Sequence, residues 1–136
     1  MSDLHVTKVL IIDDSEEHRY IFRRYLRLYA LKYEVHEAPD GTSGSRLAQA
    51  LNPDCILLDL NLPGESGYEL LVNLVGCGRP PKRTVIILTG VGGRVLEEGV
   101  RALGATGLLV KGDTDAAALD SAIQQAIKQD APQRRP

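Results

Sequence analysis

The sequence is organised around residues 54–67, which read Asp-Cys-Ile-Leu-Leu-Asp-Leu-Asn-Leu-Pro-Gly-Glu-Ser-Gly. The apolar run 55–58 is typical of a strand buried on both faces, where a carboxylate is costly except at the strand end. Asp59 stands at that end. Pro63 and the glycine after it interrupt the chain before a helical pattern begins at Ser66. We therefore expect Asp59 at the mouth of a strand-to-loop turn, which is where open parallel sheets bind ligands.

Length, charge and cysteine content limit the class of protein. The 136 residues are enough for one domain with its own core. With 16 Lys and Arg against 18 Asp and Glu, the formal net charge is -2, so we expect no direct nucleic-acid partner. The N-terminus does not resemble a signal peptide, and no apolar run approaches membrane-spanning length, which predicts a soluble cytoplasmic protein without a membrane partner. Cys55 in a strand and Cys77 in a loop fit a reducing compartment.

Strand and helix patterns alternate along the rest of the chain. Five apolar or β-branched runs predict strands, at Val6–Ile12, Tyr33–Ala38, Cys55–Leu58, Thr84–Leu88 and Gly107–Val110. Five helical patterns follow them, the first capped by Ser15 and the others at Thr42–Leu51, Ser66–Val75, Gly92–Leu103 and Asp115–Lys128. The segment 76–83 is predicted to be a loop.

We make a specific prediction for two of these helices, one about its buried face and one about its rigidity. The first helix is expected to bury a stripe of apolar and aromatic residues at helical spacing, namely Ile21, Phe22, Tyr25, Leu28 and Tyr29. The fourth helix contains Gly92, Gly93 and Gly99, and we expect it to be the least rigid helix because glycine is a poor helix former.

This alternation predicts an α/β protein with a doubly wound parallel sheet of five strands and five helices. Strand order does not follow from the alternation. The order 2-1-3-4-5 is that of the flavodoxin-like fold, and it is the order we expect. Residues 1–129 are predicted to form the domain, and residues 130–136 a flexible C-terminal tail.

Polar side chains follow four of the five predicted strands. They are Asp13 and Asp14 after the first strand, Asp59 after the third, Thr89 after the fourth and Lys111 after the fifth. Because parallel strands share one carboxyl edge, we expect these side chains to meet there. Two carboxylates 4 Å apart repel by about 4 kcal/mol at an effective dielectric constant near 20, so a cation is needed among the three acids.

A divalent cation fits this predicted site. Mg²⁺ prefers oxygen ligands and binds one or two carboxylates together with water and phosphate oxygens. Lys111 adds an ammonium group, and Thr89 adds a hydroxyl that can donate to a bound anion. A carboxylate facing such a site can act as the nucleophile toward a phosphoryl group. Such an attack gives an aspartyl phosphate, whose phosphoryl oxygens the cation and the ammonium can stabilise.

The sequence from about Lys8 to Lys128 resembles the receiver domain of two-component response regulators. The family's acid pair matches Asp13 and Asp14, and its phosphoacceptor matches Asp59. Its hydroxyl residue matches Thr89, and its lysine matches Lys111. The resemblance implies Mg²⁺ bound by Asp13, Asp14, Asp59 and the backbone carbonyl of Asn61. It also implies that Thr89 and Lys111 contact a phosphoryl group donated to Asp59 by a sensor histidine kinase.

The resemblance further implies a stand-alone, chemotaxis-regulator-like response regulator in a phosphorelay. Such a protein accepts a phosphoryl group and assists its own phosphotransfer and dephosphorylation, and it is not an enzyme in the ordinary sense. Its signal is expected to pass by contact through the face of the fourth and fifth helices. The recipient would be a downstream protein or a second copy of the chain, and the latter pairing gives a homodimer.

Two positions depart from the family pattern. The family usually has proline after the lysine and an aromatic residue three positions before it, whereas this chain has Gly112 and Leu108. The Lys-Gly variant resembles receivers associated with sensory histidine kinases. Without the aromatic side chain, we expect only a modest rearrangement at residue 108 on phosphorylation.

Two other functions stay open at the level of sequence. One is a receiver-like module for interaction or dimerisation that is not phosphorylated. The other is a small Mg²⁺-dependent phosphatase, but Asn61 occupies the position where that chemistry needs a second acid. The three histidines, His5, His18 and His36, show no ligand spacing, and none is expected to face the acid pocket.

Overall fold

The structure, a computed structural model, describes residues 5–76 and 83–134, the last four of these by their backbone alone. The strands are β1 (Thr7–Ile12), β2 (Tyr33–Ala38), β3 (Cys55–Asp59), β4 (Val85–Thr89) and β5 (Gly107–Val110). The helices are α1 (Glu16–Arg27), α2 (Gly41–Leu51), α3 (Gly67–Val75), α4 (Arg94–Ala102) and α5 (Ala116–Arg134), and a short 3₁₀ turn covers Lys111–Asp113. Most of the predicted loop 76–83, including Cys77, lies outside the described residues.

The five strands form one parallel sheet in the order β2-β1-β3-β4-β5, which confirms the predicted flavodoxin-like order. The register places Ile12 of β1 opposite Leu58 of β3, one residue before Asp59. The acids that follow β1 therefore adjoin the acid that ends β3. Thr89 at the end of β4 pairs with Val110, the residue before Lys111. The topology thus gathers the predicted site at one edge.

The sheet is buried on both faces, and each face has its own apolar cluster. Ile56 and Leu58 of β3 pack on the side covered by α2, α3 and α4. Leu57 packs on the other side with Phe22 of α1 and Leu119 of α5. This alternation follows from the two-residue period of a strand. Each buried Leu or Ile contributes about 1.5–3 kcal/mol, so the central strands give the site a rigid base.

Helix α1 and the turn after it bury part of the predicted stripe, since Tyr25 and Tyr29 pack against the core cluster that contains Phe22. Phe22 is buried as expected, but Leu28 is 74 % exposed and Ile21 is also exposed. The prediction is wrong for both residues. Leu28 lies beyond the end of α1 at Arg27, whereas Ile21 lies within α1 but beside the buried face that Phe22 and Leu26 form. Leu26, one turn after Phe22, takes the core position instead.

Helix α5 is longer than predicted. It continues to Arg134, so the expectation that it ends near Lys128 is wrong, whereas the flexibility of residues 130–136 stays a prediction. Asp130 explains the extension, because it is only 1 % exposed and accepts hydrogen bonds from two buried hydroxyls. The donors are Thr84 Oγ1 at 2.8 Å and Thr106 Oγ1 at 2.5 Å, both from segments that enter the sheet.

Replacing this carboxylate tests whether α5 is anchored there. Asp130→Ala leaves the buried hydroxyls of Thr84 and Thr106 without this acceptor, and we expect it to lower the free energy of unfolding by about 2–3 kcal/mol. The exposed neighbour provides the control, since Gln129→Ala should change stability by less than about 0.5 kcal/mol. Urea denaturation measures both. Equal stabilities for the two variants would mean that the segment is frayed.

Gly67 and Gly99 allow a matched test of backbone packing, because one is tightly packed and the other is not. A Cβ on Gly67 would lie 2.0 Å from the carbonyl oxygen of Leu60, whereas one on Gly99 in α4 meets nothing within 4 Å. We expect Gly67→Ala to destabilise the protein by about 1–3 kcal/mol, because backbone must move. Gly99→Ala should stabilise it by about 0.5–1 kcal/mol through helix propensity. Thermal denaturation shifts of the same sign would contradict this packing.

Candidate functional site

Three carboxylates meet at the carboxyl edge of the sheet. Oxygens of Asp13, Asp14 and Asp59 all lie within 4.8 Å of one another, and this is the one such acidic group among residues 5–76 and 83–134. Asp13 and Asp59 are buried, while Asp14 is exposed. They meet because β1 and β3 are neighbours that end at the same level. The prediction of an acid cluster at this edge is confirmed.

The backbone of the loop after β1 holds Asp13 in place. Its Oδ1 accepts a hydrogen bond from the N–H of Ser15 at 2.9 Å. Its carbonyl oxygen accepts one from Arg19 Nη1 at 2.5 Å. Oδ2 is buried and makes no hydrogen bond of good geometry among the described residues, although Lys111 Nζ lies 2.8 Å away as an ion-pair partner. This oxygen is therefore available to a cation.

Asp59 has opposing influences on its ionisation. Burial raises the pKa of its carboxyl group, and the negative charge of Asp13 raises it further. The N–H of Asn61, which donates to Asp59 Oδ1 at 3.1 Å, and the ammonium of Lys111 both act to lower the pKa, but the net shift is upward. Ionised Asp59 is thus a carboxylate whose charge the surrounding protein only partly compensates.

Lys111 supplies a positive charge to the cluster. It begins the 3₁₀ turn after β5, and its side chain is only 12 % exposed. Nζ lies 2.8 Å from Asp13 Oδ2 and 3.4 Å from Asp59 Oδ2, so one ammonium bridges the two buried acids. A third contact joins Nζ to His18 Nδ1 at 2.9 Å. Of these three contacts, the one to His18 has hydrogen-bond geometry, and the two to the carboxylates are ion pairs.

Thr89 and Asn61 take positions at the margin of this cluster. Thr89 is buried, and its hydroxyl donates to the carbonyl of Val91 at 2.8 Å and accepts from the N–H of Val91 at 3.2 Å. The hydroxyl is therefore engaged with the loop after β4. Asn61 is exposed and contributes its backbone N–H to Asp59.

His18 is a member of the site that the sequence reasoning missed. The expectation that no histidine faces the acid pocket is wrong, because His18 Nδ1 contacts Lys111 Nζ and lies 3.6 Å from Asp13 Oδ2. The sequence does contain a signal for this position, because His18 lies in the first turn of the helix that Ser15 caps, directly after the acids that follow β1. The other two histidines pair elsewhere, His5 with Asp54 and His36 with Glu34.

The donor set fits a divalent cation. Three carboxylates against one ammonium leave an excess of two negative charges when all are ionised. The buried Oδ2 of Asp13, which has no well-formed hydrogen bond, adds an oxygen ligand directed into the cluster. Carboxylate oxygens are the ligands preferred by hard cations of the Mg²⁺ type. The residues present therefore suit such an ion.

Fold and site together define a doubly wound α/β protein with an acidic, cation-accepting pocket at the carboxyl edge of its sheet. Residues 9–124 match the model of the response regulator receiver domain, so the chain belongs to that family. This confirms the resemblance inferred from the acid pair, Asp59, Thr89 and Lys111.

Curated relatives agree with this membership. The nitrate/nitrite response regulator protein NarL of Escherichia coli K12 is 39 % identical over 74 residues, which are 54 % of this chain and 34 % of NarL. The transcriptional regulatory protein SrrA of Staphylococcus aureus is 37 % identical over 81 residues, which are 60 % of this chain and 31 % of SrrA. The matches thus span about a third of each relative.

Solved structures share the fold over nearly their whole length. The chemotaxis protein CheY4 of Vibrio cholerae has a TM-score of 0.78 and 29 % identity, with 90 % of this chain and 99 % of that chain covered. A CheY-like receiver domain protein of Methanospirillum hungatei has a TM-score of 0.80 at 21 % identity, covering 94 % and 98 %, and it supports the fold alone.

The raised pKa of Asp59 predicts how its replacement affects stability. An acid whose pKa is higher in the folded state favours folding while protonated, and this advantage is lost as the pH rises through the folded pKa. At pH 7 the charge of Asp59 therefore opposes folding, and Asp59→Asn should stabilise the protein. The gain should shrink as the pH falls toward about 4, the ordinary pKa of an aspartate. Urea denaturation in the presence of EDTA measures it.

Asp40 provides a control of opposite sign. Its carboxylate caps α2, and hydrogen bonds from the backbone and then the hydroxyl of Ser43 lower its pKa. Asp40→Asn should therefore lower stability at pH 7, and the loss should disappear as the pH falls through the lowered pKa. If Asp59→Asn behaved like Asp40→Asn, the direction assigned to Asp59 would be wrong.

Proposed function

We propose that this chain accepts a phosphoryl group on Asp59 from the phosphohistidine of a partner sensor histidine kinase, in a Mg²⁺-dependent phosphorelay, and that it signals by protein contact. The observation that carries the proposal is the position of Lys111, whose ammonium lies between the buried carboxylates of Asp13 and Asp59. A cation fixed beside a buried nucleophile can stabilise the charge of a transferred phosphoryl group.

The proposed transfer is a single displacement. An oxygen of the Asp59 carboxylate attacks phosphorus, an O–P bond forms, and the P–N bond of the donor breaks, leaving its electron pair on the imidazole. Lys111 contacts the phosphoryl oxygens in this step. Mg²⁺, held by Asp13, Asp14, Asp59 and the carbonyl of Asn61, would supply the remaining positive charge that the carboxylates and the phosphoryl group require.

Thr89 gives the proposed state change a physical basis. Its hydroxyl is bound in both directions to the backbone of Val91, so contact with a phosphoryl group requires it to leave that partner. Phosphorylation then shifts the population between two arrangements of the loop after β4. Leu108 packs against the apolar cluster beneath α4 and takes the place of the family's usual aromatic residue.

The recipient of the signal is proposed to dock on the face formed by α4 and α5. Val91 and Val95, at the start of this face, are exposed apolar side chains that a protein partner can cover. A downstream protein or a second copy of the chain would fit, the latter giving a homodimer. We place this action in the cytoplasm and assign no nucleic-acid partner, in keeping with the net charge of -2. No described helix is both long and apolar enough to cross a membrane.

Intact-mass measurement tests the phosphoryl acceptor directly. The full chain, incubated with Mg²⁺ and a small phosphodonor such as acetyl phosphate, should gain about 80 Da, the mass of one phosphoryl group. Asp59→Asn should show no gain. Asp113→Asn, which removes an exposed carboxylate near the site, should be labelled like the unmodified chain. Chelation of Mg²⁺ should abolish labelling, because the carboxylates are then left without the cation.

Other outcomes point to the other functions. An unmodified chain that never gains mass, even with a panel of histidine kinases, would favour a module for interaction or dimerisation only. Continuous release of inorganic phosphate from added phosphate esters would favour a phosphatase. Labelling that persists in Asp59→Asn would show that another side chain accepts the group.

A further inference from the structure

We propose that His18 is a positioning residue for Lys111, with its Nδ1 accepting a hydrogen bond that fixes the ammonium beside the two buried acids. The Nζ to Nδ1 distance is 2.9 Å, while the ring is 40 % exposed and opens toward solvent. The consequence for phosphoryl acceptance rests on the function proposed above. The contact itself does not depend on that function.

The direction of this hydrogen bond follows from its partners. A lysine ammonium has three donors and no acceptor, so the ring nitrogen must accept. Two carboxylates lie within 3.4 Å of the same Nζ as the ion-pair partners of this ammonium. Nδ1 of His18 is therefore unprotonated, and the ring proton is carried by Nε2.

The ring is held in place by the same turn that holds Asp13. His18 is the third residue of α1, and its N–H donates to the Oγ of Ser15 at 3.1 Å. The N–H of Ser15 in turn donates to Asp13 Oδ1 at 2.9 Å. One capping residue thus fixes both the acid and the histidine that share the ammonium of Lys111.

The three contacts of Lys111 differ in length in a way that suits a transfer. Those to Asp13 and His18 are short, at 2.8 and 2.9 Å, whereas that to Asp59 is longer, at 3.4 Å. The short ion pair with Asp13 and the hydrogen bond to His18 anchor the ammonium, and the longer contact with Asp59 lets it turn to a phosphoryl oxygen there. Because His18 is a neutral acceptor, it anchors Lys111 without adding a fourth negative charge to the cluster.

His36 shows what an ordinary histidine contact in this chain looks like. It lies on the edge strand β2 and pairs with the carboxylate of Glu34 two residues away, where the His36 side chain is 31 % and the Glu34 side chain 50 % exposed. That pair touches none of the site residues. His18 differs because its partner is an ammonium that already bridges two buried acids.

Three substitutions test the positioning role in the full chain. The rate of labelling by acetyl phosphate and Mg²⁺ should fall about tenfold in His18→Ala, the loss expected for one hydrogen bond to a charged group. His18→Asn should restore most of the rate, since its Oδ1 can occupy the place of Nδ1. His18→Gln has its acceptor one bond further out and should not. His36→Ala is the matched control and should leave the rate unchanged.

The hydrogen bond between Lys111 and His18 can be tested without a phosphodonor. In the ¹⁵N-labelled chain, two-dimensional ¹H–¹⁵N spectra of the imidazole rings should show His18 at neutral pH with Nδ1 unprotonated and Nε2 protonated. A proton on Nδ1, or equal labelling rates for His18→Ala and the unmodified chain, would overturn the proposal. If the unmodified chain gains no phosphoryl group, the proposed function fails, and the ring spectrum still decides whether His18 positions Lys111.

Discussion

The repulsion between carboxylates at the edge of the sheet is the constraint on which the rest of the site depends. Asp13 and Asp59 are both buried, and each such pair at about 4 Å costs about 4 kcal/mol at an effective dielectric constant near 20. The protein offsets this cost in part, with the N–H groups of Ser15 and Asn61 and the ammonium of Lys111. The compensation is incomplete, and this deficit of positive charge makes the cluster suited to hold a cation.

The parallel sheet makes such crowding possible because it delivers acids from separate strands to one edge. Strands β1 and β3 are neighbours in the interior of the sheet, and all five residues of β3 are buried. Helices on both faces pin these strands, so the carboxylates cannot move apart to relieve their repulsion. A large apolar core therefore holds the carboxylates close together although they repel one another. Such local departures from the most stable arrangement are expected at functional sites.

Much of this arrangement could be predicted from sequence because strand ends coincide in a parallel sheet. The acids after β1, Asp59 and Lys111 all end strands, so their meeting required only the correct fold. His18 was missed because its ring position depends on the capping geometry of Ser15, which no periodicity reports. The buried position of Asp130 was not predicted because its surroundings in the sequence are polar. Its partners, Thr84 and Thr106, are distant in sequence and meet it only in the folded protein. The orientation of the Thr89 hydroxyl likewise depends on a local rotamer.

The loop after β4 connects the site to helix α4, and this connection gives the proposed signal a route that does not need an aromatic residue at position 108. Helix α4 has one fully buried residue, Val100, and its N-cap, Gly93, makes no side-chain capping bond. Thr89 holds the preceding loop through two hydrogen bonds to Val91. If its hydroxyl turns to a phosphoryl group, both bonds break at the entrance to a loosely anchored helix. In the proposed mechanism, phosphorylation of Asp59 is then transmitted to α4 by release of the backbone of Val91, and no aromatic ring has to move beneath α4.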